Sequence, residues 1–416
     1  MQRSFHHLII HVRTYGRQHR SLYALSVMIL FWAMFDLVTT YITPLVLTEH
    51  GLSNTMMGII IGSSSIFGGL FDLVMTRIAR RTTFRRLFLV MFAVCLAYSF
   101  VLWQANSIWL FLLAMALWGI YYDLANFGMF DFVGRYQKKS EHTSSFGVLE
   151  VFRALGSSLA PVFVGLTIVT VVTWQSFALS WVFLAISVLF FILLISITRG
   201  RTPIVPVEPT RRRARSRVSF ALLRRMSRAM LPVLLATFIL FCIDGFYWTI
   251  GPLFAEEMFA GSSFGGLFLA AFTIPPLFAG WFVGTITKRF HKKRTAFTSL
   301  LLGSGLIALF TLIPAPMLTI PLNFLAGVCL SLAFPALNGA YADYIAERPA
   351  VEEDIIALED LAMNAGYVIG PMVAGVLADG VGFTNAFTVL GIFGAAVALL
   401  LLWKSPKSIT VPASDA

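Results

Sequence analysis

Apolar runs of roughly 20 or more residues recur along the whole chain, and no other feature restricts its possible folds so strongly. A helix of about 20 apolar residues crosses the ~30 Å hydrocarbon core of a bilayer. The composition points the same way, since 58% of the 416 residues are hydrophobic and only 12% are charged. A water-soluble chain could not cover so much apolar surface. The sequence therefore predicts an all-α membrane protein.

Twelve membrane-spanning helices are predicted from these runs. They lie at 21–47, 54–76, 84–104, 107–134, 143–171, 174–198, 229–257, 262–287, 295–313, 316–346, 353–378 and 383–403. Prolines within several of the runs are expected to bend the helices that contain them. These prolines are Pro44, Pro161, Pro252, Pro275, Pro276, Pro335 and Pro371.

Lys and Arg residues fall on one side of this arrangement. The segments on that side are 1–20, 77–86, 135–142, 199–228, 288–294, 347–352 and 404–416, and together they hold 30 of the 31 Lys and Arg residues. The connections on the other side hold none. By the positive-inside rule, both termini are expected in the cytoplasm. The net charge of +11 is thus spread over loops and forms no single patch, so nucleic acid is not expected as a partner.

The longest basic segment divides the chain into two parts of six spans each. Residues 199–228 are rich in Arg and Pro and are interpreted as a cytoplasmic linker. The predicted domains are accordingly an N-terminal six-helix bundle over 1–198, the linker, and a C-terminal six-helix bundle over 229–416.

The two parts are internal repeats. Four groups of residues recur in the same order, at offsets of 208 to 212 residues. The matched groups are Asp36 and Pro44 with Asp244 and Pro252, Gly68 and Arg77 with Gly280 and Arg289, Asn126 and Asp131 with Asn338 and Asp343, and Glu150, Gly156, Pro161 and Gly165 with Asp360, Gly366, Pro371 and Gly375. Duplicated halves with a binding site near the bilayer midplane are typical of secondary transporters. The fold expected is two pseudo-symmetric six-helix bundles.

Charged residues within predicted spans are candidates for function, because a charge at mid-bilayer costs ~2.5–3.5 kcal/mol on insertion scales. Asp36 lies near the centre of span 1 with Thr40 on the same face, and Asp244 holds the equivalent place in span 7 beside Trp248. The alternative interpretation is a neutral carboxylic acid that only packs one helix against the next.

Arg153 is the one basic residue within a span, and it needs a carboxylate because its guanidinium does not lose its proton. Glu150, three residues earlier, and Asp123, at similar depth in span 4, are both possible partners. The pair is either a proton-sensitive relay or a permanent structural ion pair. A second polar cluster lies in span 11 and comprises Glu359, Asp360 and Asn364. Span 11 holds no basic residue, so a proton or a cation is a natural counter-charge for this cluster.

Over essentially its whole length the chain resembles the major facilitator superfamily, in its 6+6 topology, its long basic central loop and its repeat. Gly68-x-Leu70-x-Asp72 followed by Arg77 resembles the cytoplasmic motif that this family carries between spans 2 and 3. The pattern departs from the family's at Leu73 and Met75, where a basic residue and a glycine are usual.

A second motif supports the resemblance. Gly366, Gly370 and Pro371 in span 11 are similar to the Gly-Pro motif associated with antiporters, which the family carries in span 5. The span 5 copy here runs from Gly156 to Pro161 and lacks one glycine. The arginine that many proton-coupled drug exporters carry in span 4 is absent, so the subfamily stays open.

The resemblance implies positions for the candidate residues. In this family spans 1, 4, 7 and 10 line a central cavity, which would place there Asp36, Thr40, Asp123, Asn126, Asp244 and Trp248. A cytoplasmic gate would comprise Gly68, Asp72, Arg77, Gly280 and Arg289. Two acids that share a cavity disfavour simultaneous ionisation, so one of the two mid-span aspartates is expected to bind a proton.

The leading hypothesis is proton-coupled efflux of small apolar or cationic solutes by alternating access. The proton gradient would supply the energy, and no cofactor is expected. The alternatives are a sugar or nutrient symporter, a lipid-handling transporter of the same fold, and a membrane receptor that transports nothing. Since the sequence has no phosphate-binding loop and no paired nucleophile and base, neither an ATP-driven pump nor an enzyme is expected. The expected partners are a small-molecule substrate, protons and lipid, for a monomer in a bacterial inner membrane.

Overall fold

The part of the chain that the structure describes folds into a series of α-helices. A computed structural model describes residues 20–78, 82–138, 141–167, 172–199, 220–259, 264–313, 315–347 and 352–405. Helices α1 to α13 span Arg20–Glu49, Asn54–Ile78, Phe84–Gln104, Ile108–Tyr136, His142–Thr167, Trp174–Thr198, Phe220–Phe259, Phe264–Thr273, Pro276–Phe290, Lys292–Ala308, Pro316–Glu347, Glu352–Val381 and Phe383–Lys404. A 3₁₀ turn at Phe310–Leu312 follows α10.

The twelve predicted spans are confirmed, and one of them is broken. Eleven of the described helices are long and apolar enough to cross a membrane. The remaining span consists of α8 and α9, which are separated by Ile274 and Pro275. A bend was expected here from Pro275 and Pro276. Because neither proline has an amide hydrogen to donate, the helical hydrogen bonds stop and the helix restarts after an interruption.

Most helix boundaries agree with the sequence prediction to within a few residues, and α7 is the main difference. It begins at Phe220, within the segment interpreted as the linker, and continues to Phe259. The preceding residues 200–219 lie outside the described part of the chain. The domain division at 199–228 stays a prediction.

Helix packing follows the sequence repeat. In the first half α1 packs on α5 and α3 packs on α4, and in the second half the equivalent pairs α7 with α12 and α10 with α11 pack in the same way. Glycines allow close approach in both: a Cβ at Gly156 would collide with the Leu30 carbonyl of α1, and one at Gly370 would lie 2.7 Å from the Cys242 carbonyl of α7. Gly366 packs similarly on Phe238. The Gly-Pro motif residues are thus packing positions within each half.

The same motif also joins the two halves. The Pro161 carbonyl of α5 lies against Gly266 of α8, and the Pro371 carbonyl of α12 lies against Gly58 of α2. These are equivalent contacts in the two repeats, because each places a proline of the motif on a glycine of the opposite half. Both lie towards the end of the bundle whose loops carry no Lys or Arg, which we call the neutral end; the other is the basic end.

A carboxylate also links the two halves by hydrogen bonds at the neutral end. Asp379, near the end of α12, accepts hydrogen bonds from the first residues of α2 in the other half. Its Oδ1 accepts from the Asn54 amide nitrogen at 3.1 Å and from Asn54 Nδ2 at 2.9 Å, and its Oδ2 accepts from the Thr55 amide at 2.8 Å and Thr55 Oγ1 at 2.7 Å. An acidic group at a helix N-terminus satisfies free amide donors and is favoured by the helix dipole.

The contact of Gly58 with Pro371 allows a test of the packing between the two halves. We expect Gly58→Ala to lower the free energy of unfolding by about 1–3 kcal/mol, because the new Cβ would collide with the Pro371 carbonyl, which is backbone and cannot turn away. The matched control is Gly69→Ala in the same helix, where a Cβ meets nothing within 4 Å. Thermal unfolding of the purified protein in detergent measures both. Equal midpoints for the two variants would contradict the contact.

Candidate functional site

A cavity of about 290 Å³ lies between the two halves, and four charged residues from within the spans line it. Its walls come from α1, α4 and α5 of the first half and from α7, α8, α9 and α11 of the second. The charged residues that line it are Asp36, Glu150, Arg153 and Asp244. Aromatic residues cover much of the remaining wall, namely Trp32, Tyr122, Trp248, Phe272 and Phe334.

Asp36 is held by a neighbouring helix. The Tyr121 hydroxyl of α4 donates a hydrogen bond of 2.6 Å to Asp36 Oδ1. The threonines that share a face with Asp36 have other roles, since Thr39 Oγ1 and Thr40 Oγ1 donate to the Asp36 backbone carbonyl at 2.9 and 2.8 Å. Thr40 is buried and does not line the cavity. In contrast to the prediction, Thr40 therefore lies outside the cavity wall, because its side chain is buried in the helix packing.

Asp244 occupies the equivalent place but has a different partner. The Tyr367 hydroxyl of α12 donates to Asp244 Oδ2 at 2.8 Å. At the repeat offset of 210 residues Tyr367 corresponds to Ser157, and at the offset of 212 Tyr121 corresponds to Ala333. The two acids are thus repeated while their hydroxyl donors are not. The two halves therefore supply different hydrogen-bond donors to their equivalent aspartates.

Arg153 pairs with Glu150 on its own helix. Arg153 Nη2 lies 2.8 Å from Glu150 Oε1, and Arg153 Nε donates to Glu150 Oε2 at 3.2 Å. The ion pair is bidentate, which fixes the orientation of the guanidinium and the carboxylate. The exposed fractions of the two side chains are 27% for Arg153 and 58% for Glu150, and both line the cavity. Of the two partners that the sequence left open, the structure selects Glu150.

Asp123 faces a different neighbour. A Cβ at Gly68 of α2 would lie 3.0 Å from Asp123 Oδ2, so the carboxylate rests against that glycine. This oxygen is buried and has no hydrogen-bond partner among the described residues. A Cβ at Gly119 would lie 2.5 Å from the Ser64 carbonyl, so α4 approaches α2 closely and turns its Asp123 face towards it. Neither Asp123 nor Asn126 lines the cavity, in contrast to the prediction.

The second polar cluster also lies outside the cavity. Asn364 Nδ2 donates to the Asp360 backbone carbonyl at 2.9 Å, Glu359 is partly buried, and the Asp360 side chain is exposed. None of the three lines the cavity. They lie in the half of α12 nearer the basic end.

Of the predicted gate residues, the structure describes some and leaves others out. Asp72 is partly buried at the basic end of α2, and Arg289 is exposed with its guanidinium 5.5 Å from the Phe290 ring centroid. The Arg77 side chain and the surroundings of Gly280 lie outside what the structure describes. The gate stays a prediction.

One matched group of the repeat has a clear structural role. Asp131 Oδ2 accepts from the Phe84 amide at 2.7 Å, at the start of α3, and its Oδ1 lies 2.7 Å from Arg135 Nε. The equivalent Asp343 accepts from Lys292 Nζ at 2.5 Å, at the start of α10. Both aspartates therefore tie α4 or α11 to the preceding helix at the basic end. Sequence reasoning found the repeat but assigned these residues no role.

The arrangement as a whole is a mid-membrane cavity with three carboxylates and one guanidinium. Since Arg153 neutralises Glu150, the remaining carboxyl groups of Asp36 and Asp244 are available to a proton or a cation. Among the described residues, no group of three His, Cys, Asp or Glu side chains could hold a metal ion. Carboxyl groups and aromatic rings of this kind can each contact a positively charged group.

Comparisons with known proteins agree with this fold. A family model described as the Major Facilitator Superfamily matches residues 21–351. A Na(+), Li(+), K(+)/H(+) antiporter of Planococcus maritimus is 31% identical over 179 residues, which is 41% of this chain and 41% of that protein. The chain thus matches less than half the length of that relative.

Solved structures resemble the whole chain. A bacterial homologue of the human lysosomal transporter Spinster, in an inward-facing conformation, superposes with a TM-score of 0.73 at 14% identity, over 95% of this chain and 98% of that one. The nucleoside transporter NupG gives 0.71 at 13% identity, over 93% and 100%. The peptide transporter POT gives 0.72 at 16% identity, over 94% and 96%. At these identities the likeness shows the fold alone.

Proposed function

The chain belongs to the Major Facilitator Superfamily, and from this premise we propose that it is a proton-coupled secondary transporter that exports small cationic or apolar solutes by alternating access. One observation carries the proposal: Asp36 and Asp244, one from each half, line the same cavity. Two carboxyl groups in one cavity disfavour simultaneous ionisation, so a proton and a cationic solute can compete for them. Competition for one cavity is the physical basis of antiport.

The composition of the cavity wall favours a cation over a sugar as the transported solute. Asp36, Asp244 and Glu150 outnumber Arg153 as charged lining residues, and the aromatic rings around them can contact a cation or an apolar solute. None of the described lining residues is Asn or Gln, whose amide groups suit recognition of sugar hydroxyls. The partial relative named as a cation/proton antiporter supports the same choice.

The orientation is proposed from the basic loops. With the basic end in the cytoplasm, both termini are cytoplasmic, and the neutral end faces outwards. In this arrangement the inter-half contacts of Asp379 with α2 would close the outer side. The proposed setting is a bacterial inner membrane, with the protein as a monomer that uses the proton gradient and no cofactor.

Transport in everted membrane vesicles tests the function. We expect a lipophilic organic cation, tetraphenylphosphonium, to accumulate in vesicles with an acidic interior and to leave when a protonophore collapses the gradient. Protons that leave the vesicle would drive the cation in. Vesicles without the protein are the control. Accumulation that is indifferent to the gradient, or that requires the opposite gradient, would contradict proton antiport.

A further inference from the structure

The break between α8 and α9 leaves backbone carbonyls without their helical donors. In an α-helix, each carbonyl accepts from the amide four residues later. For Ala271 and Phe272 that residue is Pro275 or Pro276, which has no amide hydrogen. The Leu277 amide donates to Ile274 at 3.1 Å, so the Thr273 carbonyl also lacks its usual donor. Three consecutive carbonyls are therefore released from the helix near the middle of a membrane span.

Two of these carbonyls have identifiable surroundings. The Thr273 carbonyl accepts from Ser158 Oγ of the opposite half at 2.8 Å. The Phe272 carbonyl faces Gly327 of α11, where a Cβ would lie 3.1 Å from the oxygen. Phe272, Thr273 and Gly327 all line the central cavity. Irregular backbone at membrane depth is tolerated where it lines such a cavity.

The break packs against α7, close along that helix to Asp244. The Phe272 ring stacks on Tyr247 with ring centroids 3.9 Å apart and planes 5° from parallel. Tyr247 is buried and lies three residues after Asp244, so the stacked Phe272 lies within about one helical turn of the cavity-lining Asp244. Ser331 of α11, four residues after Gly327, lines the same cavity, and its hydroxyl donates to the Val328 carbonyl at 2.9 Å. The oxygen of that hydroxyl keeps lone pairs for another partner.

We propose that the Phe272 carbonyl, the Ser331 hydroxyl and the Asp244 carboxylate form a binding site for a monovalent alkali-metal cation in the second half of the protein. Hard cations take oxygen ligands, and the carbonyls of interrupted membrane helices can coordinate Na⁺. A single carboxylate balances a single positive charge. The inference deepens the proposed function, on which it rests, because it gives an inorganic cation a place of its own in the transport cavity.

Binding of radioactive sodium to the purified full-length protein in detergent, measured by scintillation proximity, tests the site. We expect saturable binding that Li⁺ and K⁺ displace. Gly327→Ala, which places a methyl group against the Phe272 carbonyl, and Pro276→Ala, which gives that carbonyl an amide donor, are each expected to weaken binding about tenfold or more. The matched controls are Gly305→Ala, where a Cβ meets nothing within 4 Å, and Pro321→Ala, at an exposed position of α11 outside the cavity lining.

Several outcomes would overturn the site. Absence of saturable sodium binding in the unchanged protein is one, and it does not depend on any variant folding. Equal weakening by Gly305→Ala and Gly327→Ala is another. Binding that survives both site variants but is lost in Asp36→Asn would place the cation in the first half instead. Proton-driven uptake of tetraphenylphosphonium, measured on the same preparation after reconstitution, separates the two proposals: if uptake persists without sodium binding, only the cation site fails.

Discussion

Replacing Asp36 by Asn is expected to reduce gradient-driven transport to the level of membranes without the protein. Asparagine has nearly the same shape and its carbonyl oxygen can still accept the hydrogen bond from Tyr121, so folding and membrane insertion should persist. It cannot bind or release a proton, however, and the cavity loses a negative charge. Asp244→Asn should reduce transport less completely, since one acid can serve the proton and the other the cation. Uptake into everted vesicles at matched expression measures all variants.

The control for Asp36→Asn is Glu257→Gln, which neutralises an exposed acid of α7 outside the cavity lining. It should transport normally. Normal transport against a gradient by Asp36→Asn would make Asp36 a packing residue. The proton site would then have to be sought at Glu150 or at the cluster of Glu359 and Asp360.

The second large effect is expected at the ion pair of α5. Arg153→Ala should abolish transport and lower stability, and the double change with Glu150→Gln should recover part of both. The single change leaves the Glu150 carboxylate without its partner in the cavity, whereas the double change does not. Because the pair is partly exposed to the cavity, we expect a stability difference on the order of 1 kcal/mol rather than the several kcal/mol of a fully buried pair.

The control for this pair is Arg153→Ala combined with Asp123→Asn. Asp123 rests against Gly68 of α2, so neutralising it should rescue nothing. Thermal unfolding in detergent and vesicle uptake report the two effects separately. Rescue by Asp123→Asn and not by Glu150→Gln would show that the pairing is wrong.

The span positions could be predicted from the sequence because the bilayer sets both their length and their composition. The repeat identified Asp36 and Asp244 as equivalent positions, and the resemblance to the superfamily implied that both line one cavity, as the structure shows. The first prediction depends on the recurring apolar runs and the second on the matched residues of the two halves. They need no knowledge of how one helix is rotated against another.

The predictions that were wrong concern which side chains line the cavity, because this depends on how each helix packs against its neighbours. Asp123 belongs to a cavity helix of the family, but the approach of Gly119 to α2 turns its carboxylate away from the cavity. Thr40 lies one turn after Asp36, but its side chain is buried and does not line the cavity. Tyr121 and Tyr367 were missed because a tyrosine in an apolar span has no distinguishing signal until packing brings it to an acid. Pro275 and Pro276, between α8 and α9, predicted a bend, but the sequence did not show which neighbours the released carbonyls would contact.

The unlike donors to Asp36 and Asp244 bear on how a duplicated gene can diverge. A tandem copy begins with two identical acids, and any change to the shared framework alters both together. Here each acid depends on a tyrosine whose counterpart in the other copy is a different residue, Ala333 for Tyr121 and Ser157 for Tyr367. Substitutions at these four positions therefore change one acid at a time. Selection can therefore adjust how strongly Asp36 binds its ligand without changing Asp244, and the reverse, while the helical scaffold stays duplicated.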